Sequence, residues 1–136
     1  MLQFFVRYWR CDIKGVSDGK LQGKTVAIKD NTCVAGVPMM NGSFTLEGFV
    51  PDIDATVVSR ILDAGGNIIG KSVCENLSCS GGSFTAATGP VVNPHNNKRM
   101  AGGSTSGSAA LVRKSDVLQE KSHVVISSNS NDPNGT

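Results

Sequence analysis

The chain of 136 residues has the length of one ordinary domain, with 39% hydrophobic residues and a formal net charge of +2. Its 13 basic and 11 acidic residues are spread out, without the basic run or aromatic platform that a nucleic-acid site needs, so nucleic acid is excluded as a partner. No stretch approaches the roughly 20 apolar residues that cross a bilayer, and no signal-peptide core precedes the first motif, so we expect no membrane partner and a cytoplasmic protein.

The four cysteines form no C-x-x-C pair, and neither histidine stands in a metal-ligand spacing. We therefore expect free thiols of a reducing compartment and no metal site. The residues concerned are Cys11, Cys33, Cys74, Cys79, His95 and His123.

Residues 1–20 are predicted to form an N-terminal docking arm that leads into the core. The following run, Thr25 to Lys29, has the β-branched, apolar character of a buried strand that ends in a charge. In open α/β sheets ligands bind outside the carboxyl ends of strands, which makes Lys29 a candidate site residue. The alternative is a solvated strand exit in which Lys29 is paired with Asp30.

A helix is predicted next, over residues 55–64, with Asp54 as N-cap and Gly65 following its last turn. A second short strand is predicted over residues 67–71. A strand, a helical connection and another strand form a right-handed crossover between parallel neighbours. The fold class is therefore α/β, a mixed sheet whose parallel pair is joined by a helical crossover and flanked by Gly/Ser-rich loops.

Two hydroxyl-rich loops follow, residues 76–89 and residues 102–110, and the second leads into a helix predicted to start near Ala109. Free amides and hydroxyls at a helix N-terminus can bind an anion or stabilise a developing oxyanion, and a hydroxyl there can also act as a proton relay. Ser108 stands where a phosphate-binding loop needs its lysine, which disfavours a nucleotide. A flexible Gly/Ser linker is the other interpretation.

After Val112 the chain changes character, and residues 113–136 are predicted to be a divergent tail. Residues 127–135 contain no apolar side chain, so we expect them to be disordered. The predicted organisation is an arm (1–20), a core (21–112) and this tail (113–136).

Five motifs in order resemble the amidase signature family, and the resemblance covers about Tyr8 to Val112. The loop of residues 36–42 and the Ser/Gly loop around Cys79 are most similar to those of broad-specificity bacterial acylamidases. The five motifs are V-A-I-K-D-N at residues 26–31, D-A-T-V-V at 54–58, G-K-S at 70–72, G-P-V-V-N-P at 89–94 and G-G-S-T-S-G-S at 102–108.

The resemblance implies a partial amidase fold and a hydrolase that acts on small-molecule carboxylic amides by a Ser–Ser–Lys mechanism, without metal or cofactor. Lys29 matches the family's general base, and Ser104 matches the relay serine that follows a cis peptide bond. A lysine can serve as base only if burial lowers its pKa, which a strand end roofed by loops could provide. Cys79 and Ser80 match the loop that walls the acyl pocket.

The sequence departs from the family in two places. Ser106 replaces a glycine of the loop motif, and after Val112 the family's D-x-G-G-S segment, which carries the nucleophile and oxyanion hole, does not appear. Ser128 follows Ser104 at about the spacing of the family's nucleophile, but no Gly-Gly pair precedes it. We therefore expect an N-terminal part of an amidase that is inactive alone. The alternative is a truncated isoform that acts as a non-catalytic binding or regulatory module. The sequence leaves open whether the chain forms a homo-oligomer.

Overall fold

A computed structural model of the chain describes residues 5–118 and 123–126. In this part of the chain a four-stranded sheet, a two-stranded hairpin and two α-helices form the framework. The sheet contains β1 (Phe5–Ile13), β2 (Thr25–Lys29), β3 (Asn67–Ser72) and β6 (His123–Ile126), the hairpin contains β4 (Val92–Asn93) and β5 (Asn96–Met100), and the helices are α1 (Thr56–Asp63) and α2 (Ser106–Leu118).

The sheet is mixed, with the strand order β1-β3-β2-β6. Strand β2 runs parallel to both β3 and β6, whereas β1 runs antiparallel to β3. The predicted parallel pair, joined through α1, and the predicted α/β class are thus confirmed. Lys29 is in register with Ser72 at the carboxyl ends of the two parallel strands.

Strand β2 is buried on both faces, as its apolar run predicts. Val26 and Ile28 belong to one hydrophobic cluster with Val58 and Ile61 of α1. Ala27, between them, belongs to a second cluster that includes Leu111 of α2. Because successive side chains point to opposite faces of a strand, β2 separates two halves of the core.

The start of α1 differs from the prediction that Asp54 caps it. The N-cap is Ala55, which offers no side-chain hydrogen bond. Asp54 Oδ1 instead accepts a hydrogen bond of 2.6 Å from the amide of Ala35, so this carboxylate ties a loop to the helix entry. Gly65 follows the helix in the left-handed region, at φ +85°, as predicted.

The two segments that flank the predicted core contribute to the sheet. Phe5–Ile13, in the predicted docking arm, is the strand β1, and His123–Ile126, in the predicted tail, is the strand β6. Helix α2 begins at Ser106, three residues before the predicted start, and the amide of Gly107 in its first turn donates to the carbonyl of Val73. Residues 127–135, predicted to be disordered, lie outside the described residues. No helix within the described ranges is long and apolar enough to cross a membrane.

Candidate active site

Lys29 and Ser104 meet although 75 positions separate them in the chain. Lys29 Nζ donates to Ser104 Oγ at 2.7 Å, at the carboxyl end of β2. Lys29 has no exposed surface, and Ser104 is half-buried. An amine and a hydroxyl at this distance can exchange a proton, provided that the amine is uncharged.

Ser104 is held by main-chain contacts on both sides of its loop. Its carbonyl accepts a hydrogen bond of 3.1 Å from the amide of Glu75, and the amide of Gly103 donates to the carbonyl of Gly81 at 2.8 Å. The Gly103–Ser104 peptide bond is cis. A Cβ at Gly103 would lie 1.7 Å from the Gly82 carbonyl oxygen, so the loop can approach this closely only with glycine at 103.

A pair of hydroxyl groups lies between β3 and α2, on the strand end that is in register with Lys29. Ser72 Oγ and Ser108 Oγ are 2.5 Å apart, and Ser72 also donates to the carbonyl of Ile28 at 3.4 Å. Ser106, which replaces a family glycine, is fully buried, and its hydroxyl has no hydrogen-bond partner among the described residues. The start of α2 therefore packs buried serines against the ends of the parallel strands.

The electrostatic surroundings favour an uncharged Lys29. Burial lowers the pKa of the Lys29 amine, and the smaller opposing effect comes from the ionised, thiolate form of nearby Cys74. The same kind of burial raises the pKa of Cys74 to about 11, so that this thiol is neutral. The interpretation that Lys29 is paired with Asp30 is wrong, because Asp30 forms its ion pair with Lys71.

The pair of Asp30 and Lys71 does not follow from the sequence pattern. Both side chains are fully buried, with Lys71 Nζ 3.5 Å from Asp30 Oδ1. Lys71 also donates to the carbonyl of Thr32 at 2.6 Å, and Asp30 Oδ2 accepts from the amide of Met40 at 3.1 Å. A lysine and an aspartate next to apolar strand residues are the signals that could have indicated a buried pair.

Glu75 is the other functional candidate that sequence reasoning missed. It is fully buried, its Oε1 accepts hydrogen bonds from the amide and hydroxyl of Thr85, and its Oε2 has no partner among the described residues. Its amide donates to the Ser104 carbonyl. Glu75 therefore connects the loop of residues 76–89 with the loop that carries Ser104.

Cys79 and Ser80, the predicted pocket residues, lie in that same connecting loop. Cys79 is exposed, and Ser80 Oγ accepts a hydrogen bond of 3.3 Å from the amide of Gly82. Gly81, the next residue, contacts Gly103 directly. The loop thus borders the Ser104 loop, while a role in binding an acyl group stays a prediction. Ser128 lies outside the described residues, where its distance from Lys29 is not defined.

No group of three metal-binding side chains occurs in residues 5–118 and 123–126. The cysteines in these ranges are unpaired. The amine of Lys29 and the hydroxyl of Ser104 are placed to exchange a proton.

The family model described as Amidase matches residues 9–115. The chain belongs to the amidase signature family. It is 54% identical over 112 residues to an "Enantioselective amidase" of Rhodococcus rhodochrous, an alignment that covers 81% of this chain and 22% of that protein. It is also 47% identical over 104 residues to a glutamyl-tRNA(Gln) amidotransferase subunit from Haloarcula marismortui, covering 76% of this chain and 24% of that one.

Solved structures support the same assignment. A glutamyl-tRNA(Gln) amidotransferase subunit from Thermotoga maritima matches with a TM-score of 0.74 and 34% identity, over 81% of this chain and 24% of that one. The peptide amidase from Stenotrophomonas maltophilia matches with a TM-score of 0.60 and 35% identity, over 69% and 20%. The partial amidase fold is thus confirmed, and the chain spans about a quarter or less of the length of these relatives.

Proposed function

We propose that this chain carries the base and relay of an amidase-type hydrolase that acts on small-molecule carboxylic amides. Lys29 is the general base and Ser104 is the relay, in a Ser–Ser–Lys mechanism. The observation that supports this proposal best is the buried 2.7 Å contact between Lys29 Nζ and Ser104 Oγ. Membership of the amidase family supports the reaction type.

The proposed proton path starts from the uncharged amine. Lys29 accepts the proton of the Ser104 hydroxyl, and Ser104 takes the proton of a nucleophilic serine as that serine attacks the amide carbonyl. The proton then returns through Ser104 to the leaving amine, and an acyl-serine ester remains. Water hydrolyses this ester by the same path, releasing the carboxylic acid and the free nucleophile.

The nucleophile is the part of this mechanism that the 136 residues do not contain in the family's form. After Val112 there is no D-x-G-G-S segment, and Ile126-Ser127-Ser128-Asn129 offers no Gly-Gly turn whose amides could hold an oxyanion. We therefore propose that Ser128 is not a nucleophile. Hydrolysis then requires a serine from a segment of the family's type.

The proposed substrate lies against the loop that contains Cys79 and Ser80. The main chain of this loop touches the Ser104 loop at the Gly81–Gly103 contact, so a bound acyl group would lie beside the relay serine.

We also propose a cytoplasmic location, because the charges are evenly distributed and the four cysteines are free.

A second candidate is a non-catalytic binding or regulatory module. The residues after Val112 favour it, because they differ from the family's D-x-G-G-S segment, while the loops around Lys29 and Ser104 could still form part of an acyl pocket. Such a module would bind carboxylic amides without turnover.

The test uses an aryl-amide substrate and two proteins. The first is the 136-residue chain with its Ser128→Ala and Lys29→Ala variants. We expect no turnover above buffer from any of the three, since loss of even one oxyanion donor costs about 10²–10³ in rate. Turnover that disappears in both variants would show that Ser128 is the nucleophile.

The second protein is a chimera of residues 1–115 with the remainder of the Rhodococcus amidase that follows its aligned segment. We expect this chimera to hydrolyse the aryl amide, and its Lys29→Ala and Ser104→Ala variants to lose at least about 10²-fold in kcat. Lys20→Ala, which changes an exposed lysine, is the matched control and should retain activity. Hydrolysis that survives Lys29→Ala would refute the proposed base, and an inactive but folded chimera would favour the non-catalytic module.

A further inference from the structure

Glu75 is a fully buried acidic residue between the two loops that surround Ser104. Neither ion pair found within the described ranges includes it, and its Oε2 has no hydrogen-bond partner there. Burying a carboxyl group without full hydrogen bonding is unfavourable, and an apolar side chain would fill the same space without that cost. The contacts that Glu75 does make therefore need an explanation beyond core packing.

The side chain of Glu75 is attached to Thr85. Its Oε1 accepts a hydrogen bond of 3.0 Å from the Thr85 amide and a second one from the Thr85 hydroxyl. Two residues earlier, the buried Ser83 donates from its hydroxyl to the carbonyl of Ala101 at 3.4 Å. These bonds close the loop onto its own start at Glu75 and onto the segment that leads into the Ser104 loop.

The main chain of Glu75 is fixed on two sides. Its amide donates to the Ser104 carbonyl at 3.1 Å, and its carbonyl accepts from the amide of Ser78 at 2.8 Å. A Cβ at Gly42 would lie 2.5 Å from that same Glu75 carbonyl oxygen, so Gly42 packs directly against it. The direction of the Glu75 amide is therefore set by its surroundings.

The turn that follows Glu75 is strained. Leu77 and Ser78 are non-glycine residues in the left-handed region, at φ 49° and 56°. Such residues persist where their neighbours hold them, and they cluster at functional sites. Asn41 provides part of the hold, because its carbonyl accepts from the Leu77 amide at 2.9 Å and its Oδ1 accepts from the Ser78 hydroxyl at 3.2 Å. The anchored side chain of Glu75 fixes the other end of this turn.

The contacts of Glu75 continue without a break to the proposed base. Glu75 holds the carbonyl of Ser104, and the hydroxyl of Ser104 accepts from Lys29 Nζ at 2.7 Å. The other main-chain bond of this loop, from the amide of Gly103 to the carbonyl of Gly81, is 2.8 Å long. Proton transfer needs a contact of about 2.6–3.2 Å, and a misplacement of about 1 Å can cost about 10²-fold in rate. The two main-chain bonds therefore control a distance on which the relay depends.

We propose that Glu75 is a positioning residue for Ser104. Its side chain, held by Thr85, fixes the amide that binds the Ser104 carbonyl, and this keeps the Ser104 hydroxyl within reach of Lys29. Within the described residues no hydrogen bond joins the Glu75 carboxyl group to either of those two side chains, so Glu75 acts through the main chain. The inference rests on the proposed function for its purpose, but the network itself can be tested without turnover.

The experiment is amide hydrogen exchange of the ¹⁵N-labelled 136-residue chain, followed by NMR and expressed as protection factors. In Glu75→Ala the protection of the residue 75 and Gly103 amides should fall at least about tenfold, because the two hydrogen bonds that anchor residue 75 are lost. The amides of Gly66 and Asn67, which bond outside these loops, should stay within about threefold of the parent.

Three further variants separate the hydrogen bonds from packing. Glu75→Gln keeps the Oε1 acceptor and should keep both protection factors within about threefold of the parent. Thr85→Val removes the hydroxyl alone and should lower them by about threefold to tenfold. Glu47→Ala, which changes an exposed glutamate, is the matched control and should change neither.

Unchanged protection of residue 75 and Gly103 in a folded Glu75→Ala variant would overturn the proposal. An equal fall at Gly66 and Asn67 would show that Glu75 only supports the core, and would overturn it too. If Glu75→Ala does not fold, Thr85→Val decides by the same criteria.

Kinetics of the chimera supply the second readout. Glu75→Ala should lower kcat at least about tenfold and change KM less, because a displaced relay slows proton transfer more than it weakens substrate binding. Glu75→Gln should bring kcat back to within about threefold of the parent chimera. A kcat of Glu75→Ala within about twofold of the parent, whatever its KM, would contradict the positioning role.

Failure of this inference and failure of the proposed function are distinguishable. An inactive chimera beside the expected local loss of protection in Glu75→Ala would contradict the proposed function alone. An active, Lys29-dependent chimera that is indifferent to Glu75→Ala would contradict the positioning role alone.

Discussion

Replacing Gly42 by alanine should destabilise the fold far more than the same change at Gly36. Both glycines have a left-handed backbone, with φ +66° at Gly42 and +72° at Gly36. Holding alanine in that region costs about 1–2 kcal/mol at either position. A Cβ at Gly36 would meet nothing within 4 Å, so this strain is the whole expected cost there.

At Gly42 a steric cost is added. A Cβ there would lie 2.5 Å from the carbonyl oxygens of both Cys74 and Glu75, and these are main-chain atoms that cannot rotate away. The loop must move by about half an ångström or more to reach an ordinary contact distance, which places the total cost at about 3 kcal/mol or more. Because the Glu75 amide donates to the carbonyl of Ser104, the displacement also disturbs the contact between Ser104 and Lys29.

Urea unfolding followed by the fluorescence of the chain's one tryptophan measures both costs. The expected result is a loss of about 1–2 kcal/mol in the free energy of unfolding for Gly36→Ala and at least about 1 kcal/mol more for Gly42→Ala. In the chimera, Gly42→Ala should also lower kcat while Gly36→Ala should not. Equal losses of stability in the two variants would refute the close packing of Gly42 against residues 74 and 75.

Three further predictions concern burial. Lys29→Met should raise the free energy of unfolding at pH 7 and should make that free energy increase less between pH 7 and pH 10. The pKa of Lys29 is lower in the folded than in the unfolded chain, so Lys29 contributes stability above its unfolded pKa, and this contribution is lost as the pH falls toward the folded pKa. Urea unfolding at both pH values measures the difference. Ile68→Ala should cost about 2–5 kcal/mol in the same assay, against less than about 0.5 kcal/mol for Ile53→Ala, since Ile68 is 0% and Ile53 70% exposed. Cys79 should react with a thiol reagent before the buried Cys74 and be protected by a carboxylic amide, whereas slow labelling of Cys79 that no amide changes would count against the proposed pocket.

The elements that can be predicted from the sequence are those with strong local patterns. Thr25–Lys29 is a continuous apolar run whose predicted and observed bounds agree, and Asn67–Ser72 differs from the prediction by one residue. Strand β1 is predictable only as an arm, because its structure depends on antiparallel pairing with β3, more than 50 positions away. The predicted Asp54 cap is wrong for a similar reason, as the Ala35 amide competes for its carboxylate.

The candidate site is less predictable from local sequence patterns than these elements are. The meeting of Lys29 with Ser104 follows from the family resemblance, since nothing in local periodicity joins two residues 75 positions apart. Glu75 and Lys71 escape prediction because a charged residue is ordinarily assigned to the surface, and only the fold reveals that both have no exposed area. Their main-chain and side-chain partners come from loops that the sequence shows only as polar.

The most direct test of the central claim is the titration midpoint of Lys29 in the unmodified chain, measured by NMR of its labelled amine. A lysine that serves as base through a buried contact with Ser104 must titrate below the ordinary value of about 10.4. We predict such a lowered midpoint for Lys29. A Lys29 midpoint at or above the ordinary value would contradict the account.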